Sequence, residues 1–196
     1  MYDKTEIRIL EQIYLNPGIH KRELSKQLKI GMPSIDYGLK KINKLINQKK
    51  TGNQINYFLD YSKEMLSPLL GIVEHSRFER FPEKVKLSIN DFLKELDTKP
   101  LIVIIFGSYA NNTNTKNSDI DIFLVFQKIE DSKKIENTAK KISMKTNTSL
   151  NPVYLDYKEF KESFHNSTKE FFKKLKKDKI ILIGIEWWRQ LVYEES

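Results

Sequence analysis

The stretch that most constrains how this chain can fold is Ile104-Ile105-Phe106-Gly107-Ser108-Tyr109-Ala110, followed after a polar spacer by Asp119-Ile120-Asp121-Ile122-Phe123-Leu124-Val125. Leu101–Phe106 is a continuous apolar run of strand length, which predicts a strand buried on both faces. Glycine at its end lets the backbone turn sharply and lets a phosphate approach closely, because no β-carbon stands in the way. Ser108 adds a hydroxyl and a backbone N–H, and a helix opening near Tyr109 would aim further N–H groups at an anion. Side chains alternate along a strand, so Asp119 and Asp121 share one face while Ile120 and Ile122 pack against the other. Two carboxylates so placed repel unless a cation lies between them, which makes the pair a site for a hard metal ion. Mg²⁺ held by one or two carboxylates plus substrate phosphates is the usual arrangement. The plain alternative is a tight turn and a surface Asp pair on a helix-flanked sheet, which leaves the alternation unexplained.

Similar patterns run along the rest of the chain. Thr5–Tyr14 carries a helical apolar stripe that stops at Asn16-Pro17-Gly18, and a second helix fits Lys21–Leu28. Pro33 suits the first turn of a third helix, which presents Ile35, Leu39, Ile42, Leu45 and Ile46 inward. Lys49–Asn53 reads as a turn between two short extended segments, the second being Gln54–Leu59. Tyr61–Ser76 and Pro82–Leu96 read as helices with a break at Arg77–Phe81. Beyond the two strands, Lys133–Met144 is a helix, Pro152–Tyr157 a third strand and Lys158–Lys177 a long basic helix. Ile180–Ile183 and Glu186–Tyr193 follow as a strand and a terminal helix. The resulting partition is residues 1–60, a helical connector 61–97, and residues 98–196.

The apolar-Gly-Ser, spacer, Asp-x-Asp string resembles the signature of the polymerase-β-like nucleotidyltransferases, and most of all their minimal prokaryotic forms. The resemblance covers about Leu101 to the C-terminus. It implies an α/β nucleotidyltransferase domain with a mixed sheet, in an α+β protein overall. By this resemblance Gly107 and Ser108 hold the triphosphate of ATP or another NTP, with Lys116 in the spacer a further phosphate contact or a solvated loop lysine. Asp119 and Asp121 hold Mg²⁺, two ions in the usual mechanism, and a nucleoside monophosphate passes to an acceptor hydroxyl with loss of pyrophosphate. A third catalytic carboxylate is expected on an adjacent strand. Asp156 is the acidic residue available there, but Asp156-Tyr157-Lys158-Glu159 also has the spacing of a helix capping box. Asn151 is the alternative occupant of the position where relatives carry aspartate. Minimal nucleotidyltransferases often act as antitoxins that modify a partner toxin, which implies a protein hydroxyl as acceptor.

Residues 1–60 resemble the winged helix-turn-helix domains of archaeal and bacterial transcription regulators, on the order of three helices and a basic hairpin. That resemblance implies DNA binding through Ser34, Tyr37, Lys40 and Lys41 on the third helix and Lys49 and Lys50 in the wing, with Asp36 an awkward neighbour for phosphate. The competing reading of the whole chain is therefore a DNA-binding regulator whose transferase-like part senses nucleotide or is inert.

Composition adds bounds. The net charge is +8, and residues 1–60 hold 11 Lys/Arg against 6 Asp/Glu, so the excess is densest in the basic module. There is no cysteine, which excludes disulfides and thiolate zinc sites and suits a reducing cytoplasm. No run approaches the roughly 20 apolar residues of a membrane span, and the first residues lack the order of a signal peptide. His20, His75 and His165 fall in no metal-ligand spacing, Trp187 and Trp188 read as core or interface, and the Lys169–Lys179 run as a solvated helix face. Pairing of two copies is left open.

Overall fold

The computed structural model describes residues 2–165 and 170–195, and its contacts divide the chain into two compact units, Met1–Val73 and Glu74–Ser196. The expected connector, residues 61–97, thus has residues in both. Among the described residues no helix is long and apolar enough to cross a membrane.

The first unit is built from α1 (Lys4–Leu15), β1 (Ile19–His20), α2 (Lys21–Leu28), α3 (Met32–Lys41), β2 (Ile46–Thr51) and β3 (Gln54–Leu59). A capping box starts α1. Asp3 Oδ1 accepts the Thr5 and Glu6 amides at 2.7 and 3.1 Å, and Glu6 Oε2 accepts the Asp3 amide at 2.8 Å. The apolar stripe of α1, with Ile9, Leu10, Ile13 and Tyr14, is buried. Gly38 lets α3 come close to α1, since a Cβ there would collide with Ile9 Cδ1. The strands form an antiparallel sheet in the order β1-β3-β2.

Three expectations need correction here. The third helix stops at Lys41, and Leu45 and Ile46 are buried instead by a 3₁₀ turn, Asn43–Leu45, and by β2, where Ile46 pairs with Leu59. Helical spacing of apolar residues does not distinguish a helix from a tight turn that delivers the same side chains to the core. Lys49 and Lys50 lie in β2, opposite Asn56 and Ile55, and the turn itself is Gly52-Asn53, with Gly52 at φ +59°. The helix expected over Tyr61–Ser76 is α4 (Leu66–Phe78). Asp60 Oδ1 accepts both the amide and the hydroxyl of Ser62, at 3.2 and 2.6 Å, and holds the preceding segment as a turn.

The second unit holds α5 (Glu83–Glu95), β4 (Ile102–Phe106), β5 (Ile120–Phe126), α6 (Ser132–Thr146), β6 (Leu150–Asp156), α7 (Tyr157–His165), α8 (Glu170–Lys177), β7 (Ile180–Ile183) and α9 (Ile185–Glu194). Its mixed sheet has the order β6-β5-β4-β7. β5 and β6 are parallel, joined by α6, and the other two pairings are antiparallel. The continuous apolar runs are explained by cores on both faces of this sheet. Val103, Ile105, Ile120, Ile122 and Leu124 pack with Val85, Ile89 and Phe92 of α5 and Ile135, Ala139 and Ile142 of α6. Ile102, Ile104, Phe123 and Val125 pack with Phe160, Phe164, Phe172, Leu175 and Trp188 from α7, α8 and α9. Full burial of each such side chain contributes about 1.5–3 kcal/mol. Within the helix expected over Lys158–Lys177, α7 and α8 cover the described residues, and residues 166–169 lie outside the described residues.

Candidate active site

The site forms where β4 ends and β5 begins. Gly107 leaves β4 at φ +67°, a conformation that favours glycine. The chain then makes a turn rather than the helix expected near Tyr109. The Gly107 carbonyl accepts the Asn111 amide at 3.2 Å and the Ser108 carbonyl accepts the Thr113 amide at 2.9 Å. Asn111 Oδ1 also accepts the Thr113 hydroxyl at 2.6 Å, and Asn112 sits at φ +60°. Tyr109 and Ala110 are buried in the core on the α5–α6 side, which fixes the turn from beneath. Arg77 braces it. Its guanidinium donates to Glu74 Oε2 and the Lys179 carbonyl, both at 2.7 Å, and to the Ala110 carbonyl at 3.4 Å. Burial pushes the neighbouring Lys179 ammonium down to about 8, an effect that nearby Glu74 opposes.

Asp119 is exposed just ahead of β5 and Asp121 is half-buried at its second residue. Alternation puts Asp121 on the face that carries Phe123 and Val125, whereas Asp119 precedes the strand. Asp121 faces Phe106 of β4 on one side and Asn151 of β6 on the other. Its two oxygens are set from two directions. Asn151 Nδ2 donates to Oδ1 at 2.9 Å, and Oδ2 lies so close to Gly107 that a Cβ on that residue would collide with it. The glycine is therefore required twice, for its positive φ and for the approach of the carboxylate. Ser108 follows in the turn, half-buried.

Lys116 is exposed in the spacer loop, which is held by Thr115 and Ser118 through an amide-to-hydroxyl bond of 2.8 Å. This loop borders an open cavity of about 860 Å³. Among the described residues, Lys84 and Lys116 are the cations lining that cavity, and no carboxylate lines it.

Asp156 is not brought to this cluster. It pairs with Phe126 at the other end of the β5–β6 ladder, and its Oδ1 accepts the Glu159 amide at 2.9 Å, capping the start of α7. Five residues of strand separate it from Asn151, about 16 Å. The expectation of Asp156 as a third catalytic carboxylate is corrected accordingly, since the residue beside Asp121 is an amide. Asn151 lies within β6, which begins two residues earlier than Pro152. Arg77 carried no local signal, because its carbonyl partner at Lys179 is 102 residues away.

The remaining candidates are placed as follows. Ser34, Tyr37, Lys40 and Lys41 are exposed on α3, with Lys41 Nζ 5.3 Å from the Tyr37 ring centre, and Lys49 and Lys50 are exposed on β2. Asp36 is paired with Lys21, which removes it as an unopposed negative charge on α3. His20 caps α2, whereas His75 and His165 lie beside Glu79 and Glu194. Trp188 is a core residue and Trp187 packs edge-on against Tyr157.

Comparison with known proteins locates the same segment. Residues 87–184, half of the chain, match the family model described as "Nucleotidyltransferase domain". The chain is also similar to the CCA-adding enzyme of Picrophilus torridus, 35% identical over 72 residues, which is 36% of this chain and 16% of that enzyme's length. Two solved structures are similar at 19% identity and a TM-score of 0.42, each over 58% of this chain and 83% of the other. One is a toxin-antitoxin with AMP-PNP, the other a mutant of the toxin-antitoxin MntA-HpeT.

Proposed function

Because this chain belongs to the nucleotidyltransferase domain family, we propose that it moves a nucleoside monophosphate from ATP or another NTP to an acceptor hydroxyl at Gly107, Ser108, Asp119 and Asp121. The observation that carries this reading is the packing of the Asp121 carboxylate against Gly107 in a positive-φ turn at the paired ends of β4 and β5. In the transfer the acceptor oxygen bonds to the α-phosphorus, the bond from that phosphorus to the pyrophosphate oxygen breaks, and the hydroxyl proton leaves to solvent. The turn supplies backbone N–H groups and the Ser108 hydroxyl for phosphate oxygens, beside the Gly107 face that the Asp121 carboxylate takes up. Lys116 and Lys84, lining a cavity that has no acidic group among the described residues, favour an anionic ligand on the adjacent side.

Asp119 and Asp121 are hard oxygen donors two residues apart at the start of β5, which fits Mg²⁺ completed by substrate phosphates. Bound there, the ion would neutralise charge on the triphosphate and the leaving pyrophosphate. Among the described residues no group of three His, Cys, Asp or Glu side chains gathers as a metal cage. The likeness to minimal nucleotidyltransferases supports a hydroxyl on a partner protein, in an antitoxin-like role, as the acceptor.

The test is transfer of label from NTPs in Mg²⁺, for the wild type and Asp119→Ala/Asp121→Ala, with nucleotide binding measured in parallel. Metal-dependent binding and transfer that vanish in the double variant support the reading. Absence of both in the wild type sinks it.

A second reading concerns the first unit. The order of α1, α2, α3 and the β2–β3 hairpin, with exposed Lys40, Lys41, Lys49 and Lys50, supports a winged helix-turn-helix that binds DNA. On this reading the chain is a regulator, and the second unit senses nucleotide. DNA affinity should then fall with salt, and Lys49→Ala/Lys50→Ala should lower the salt slope by about 2. A slope unchanged by the double variant counts against a phosphate-contacting wing.

A further inference from the structure

We propose that Asn151 is a positioning residue for the metal site, holding Asp121 in its ion-binding orientation through its amide N–H. The inference rests on the nucleotidyltransferase reading of Asp119 and Asp121.

Asp121 and Asn151 are neighbours in the parallel β5–β6 register, and same-face neighbours on adjacent strands lie about 4.7–4.9 Å apart. At that spacing an aspartate and an asparagine have the reach to meet, and here they do, Nδ2 to Oδ1 at 2.9 Å. The bond is exposed, so water competes for both groups, and its contribution to folding is small. Its effect is on orientation. With Oδ1 held by Asn151, rotation of the Asp121 carboxylate about its terminal torsion is restricted, and the missing side chain of Gly107 leaves room for Oδ2 in that orientation. A carboxylate that is already oriented loses less freedom when it takes a cation, and a hydrogen-bonded partner behind a metal ligand commonly changes affinity about 10–100-fold.

The identity of the residue matters as much as its contact. An amide donates to the carboxylate without adding negative charge, and it accepts no proton at neutral pH. The carboxylate pair therefore keeps its charge, and the β6 position provides no base for the attacking hydroxyl. Aspartate at the same place would set an oxygen against Oδ1 of Asp121 and repel it unless a cation lay between them.

The test uses Mn²⁺, read by the loss of its free spin-resonance signal, on the full chain with and without ATP. Asn151→Ala should raise the Mn²⁺ dissociation constant about tenfold or more, with the melting temperature in chelator unchanged. Asn151→Asp should melt lower than the wild type in chelator and regain that loss when Mn²⁺ is added. A purely structural side chain would not link melting temperature to the metal in this way. Asn151→Ala binding Mn²⁺ within about twofold of the wild type, against the tenfold expected, overturns the positioning role while leaving the active-site reading intact. A wild type as silent to Mn²⁺ as Asp119→Ala/Asp121→Ala overturns both.

Discussion

The β5–β6 ladder carries a half-buried aspartate at each end, and the two do different work. At the end where β5 begins, Asp121 stands between Gly107 and Asn151, at the edge of the sheet where the turn opens. At the other end Asp156 stands opposite Phe126 and accepts the Glu159 amide of α7. One carboxylate is oriented by a side-chain amide of the neighbouring strand, the other is used by the backbone of its own following helix. The difference teaches that residue type and strand position do not assign a role. What assigns it is which neighbours take up the oxygens.

The sharpest way to break this comparison is to remove each carboxylate's function at the end where it is claimed. Asp121→Asn keeps the shape and removes the charge. Loss of several kcal/mol of charge stabilisation corresponds to a fall of about a thousandfold in transfer rate, measured as label incorporated per minute. Retention of more than a tenth of the rate would remove Asp121 from the chemistry. Gly107→Ala tests the same end through its backbone. The new methyl meets Asp121 Oδ2 and the residue must hold φ +67°. Displacement of the carboxylate should lower transfer about 100-fold, and the left-handed conformation should lower stability by about 1–2 kcal/mol in denaturant melts. Normal activity in this variant would show that the close approach is dispensable.

How much of this was legible depended on how local the signal was. The strand runs and the glycine turn are properties of consecutive residues, and β4 begins one residue after the expected Leu101 and ends at the expected Phe106. Asp156 was legible only as an ambiguity, because a strand-end carboxylate and the first residue of Asp-x-x-Glu are the same string. The register of β6 against β5 decides between them, since it sets Asn151 and not Asp156 opposite Asp121. The turn after Gly107 was misread as a helix because Tyr109 and Ala110 are drawn into the core and Asn112 takes a positive φ. Arg77 joining the Ala110 and Lys179 carbonyls was out of reach of any local pattern. In the first unit, apolar spacing through Leu45 and Ile46 looked helical because the core, not the backbone, demanded those side chains.

Metal removal provides a smaller effect that distinguishes the two ends. Mg²⁺ at about ten times its dissociation constant should stabilise the folded wild type by about 1.4 kcal/mol, seen as a melting temperature that falls when chelator is added. Asp121→Asn should lose that increment. Asp156→Ala should keep it, because its carboxylate is committed to α7 rather than to an ion. An increment lost in Asp156→Ala would mean that the far end of β6 communicates with the cation.

Asp156→Ala has the smallest expected effect and argues the comparison most directly. Removing a helix cap costs about 1 kcal/mol, which for a protein of this size lowers the melting temperature by about 2–4 °C. Transfer rate and Mn²⁺ affinity should stay within about twofold of the wild type, since the residue lies about 16 Å along the strand from Asn151. The conservative Asp156→Ser retains a side-chain acceptor for the Glu159 amide and should recover most of the lost stability. If Asp156→Ala loses activity at unchanged stability, and Asp156→Ser does not restore it, the carboxylate serves chemistry after all and the two ends of the ladder are not functionally distinct.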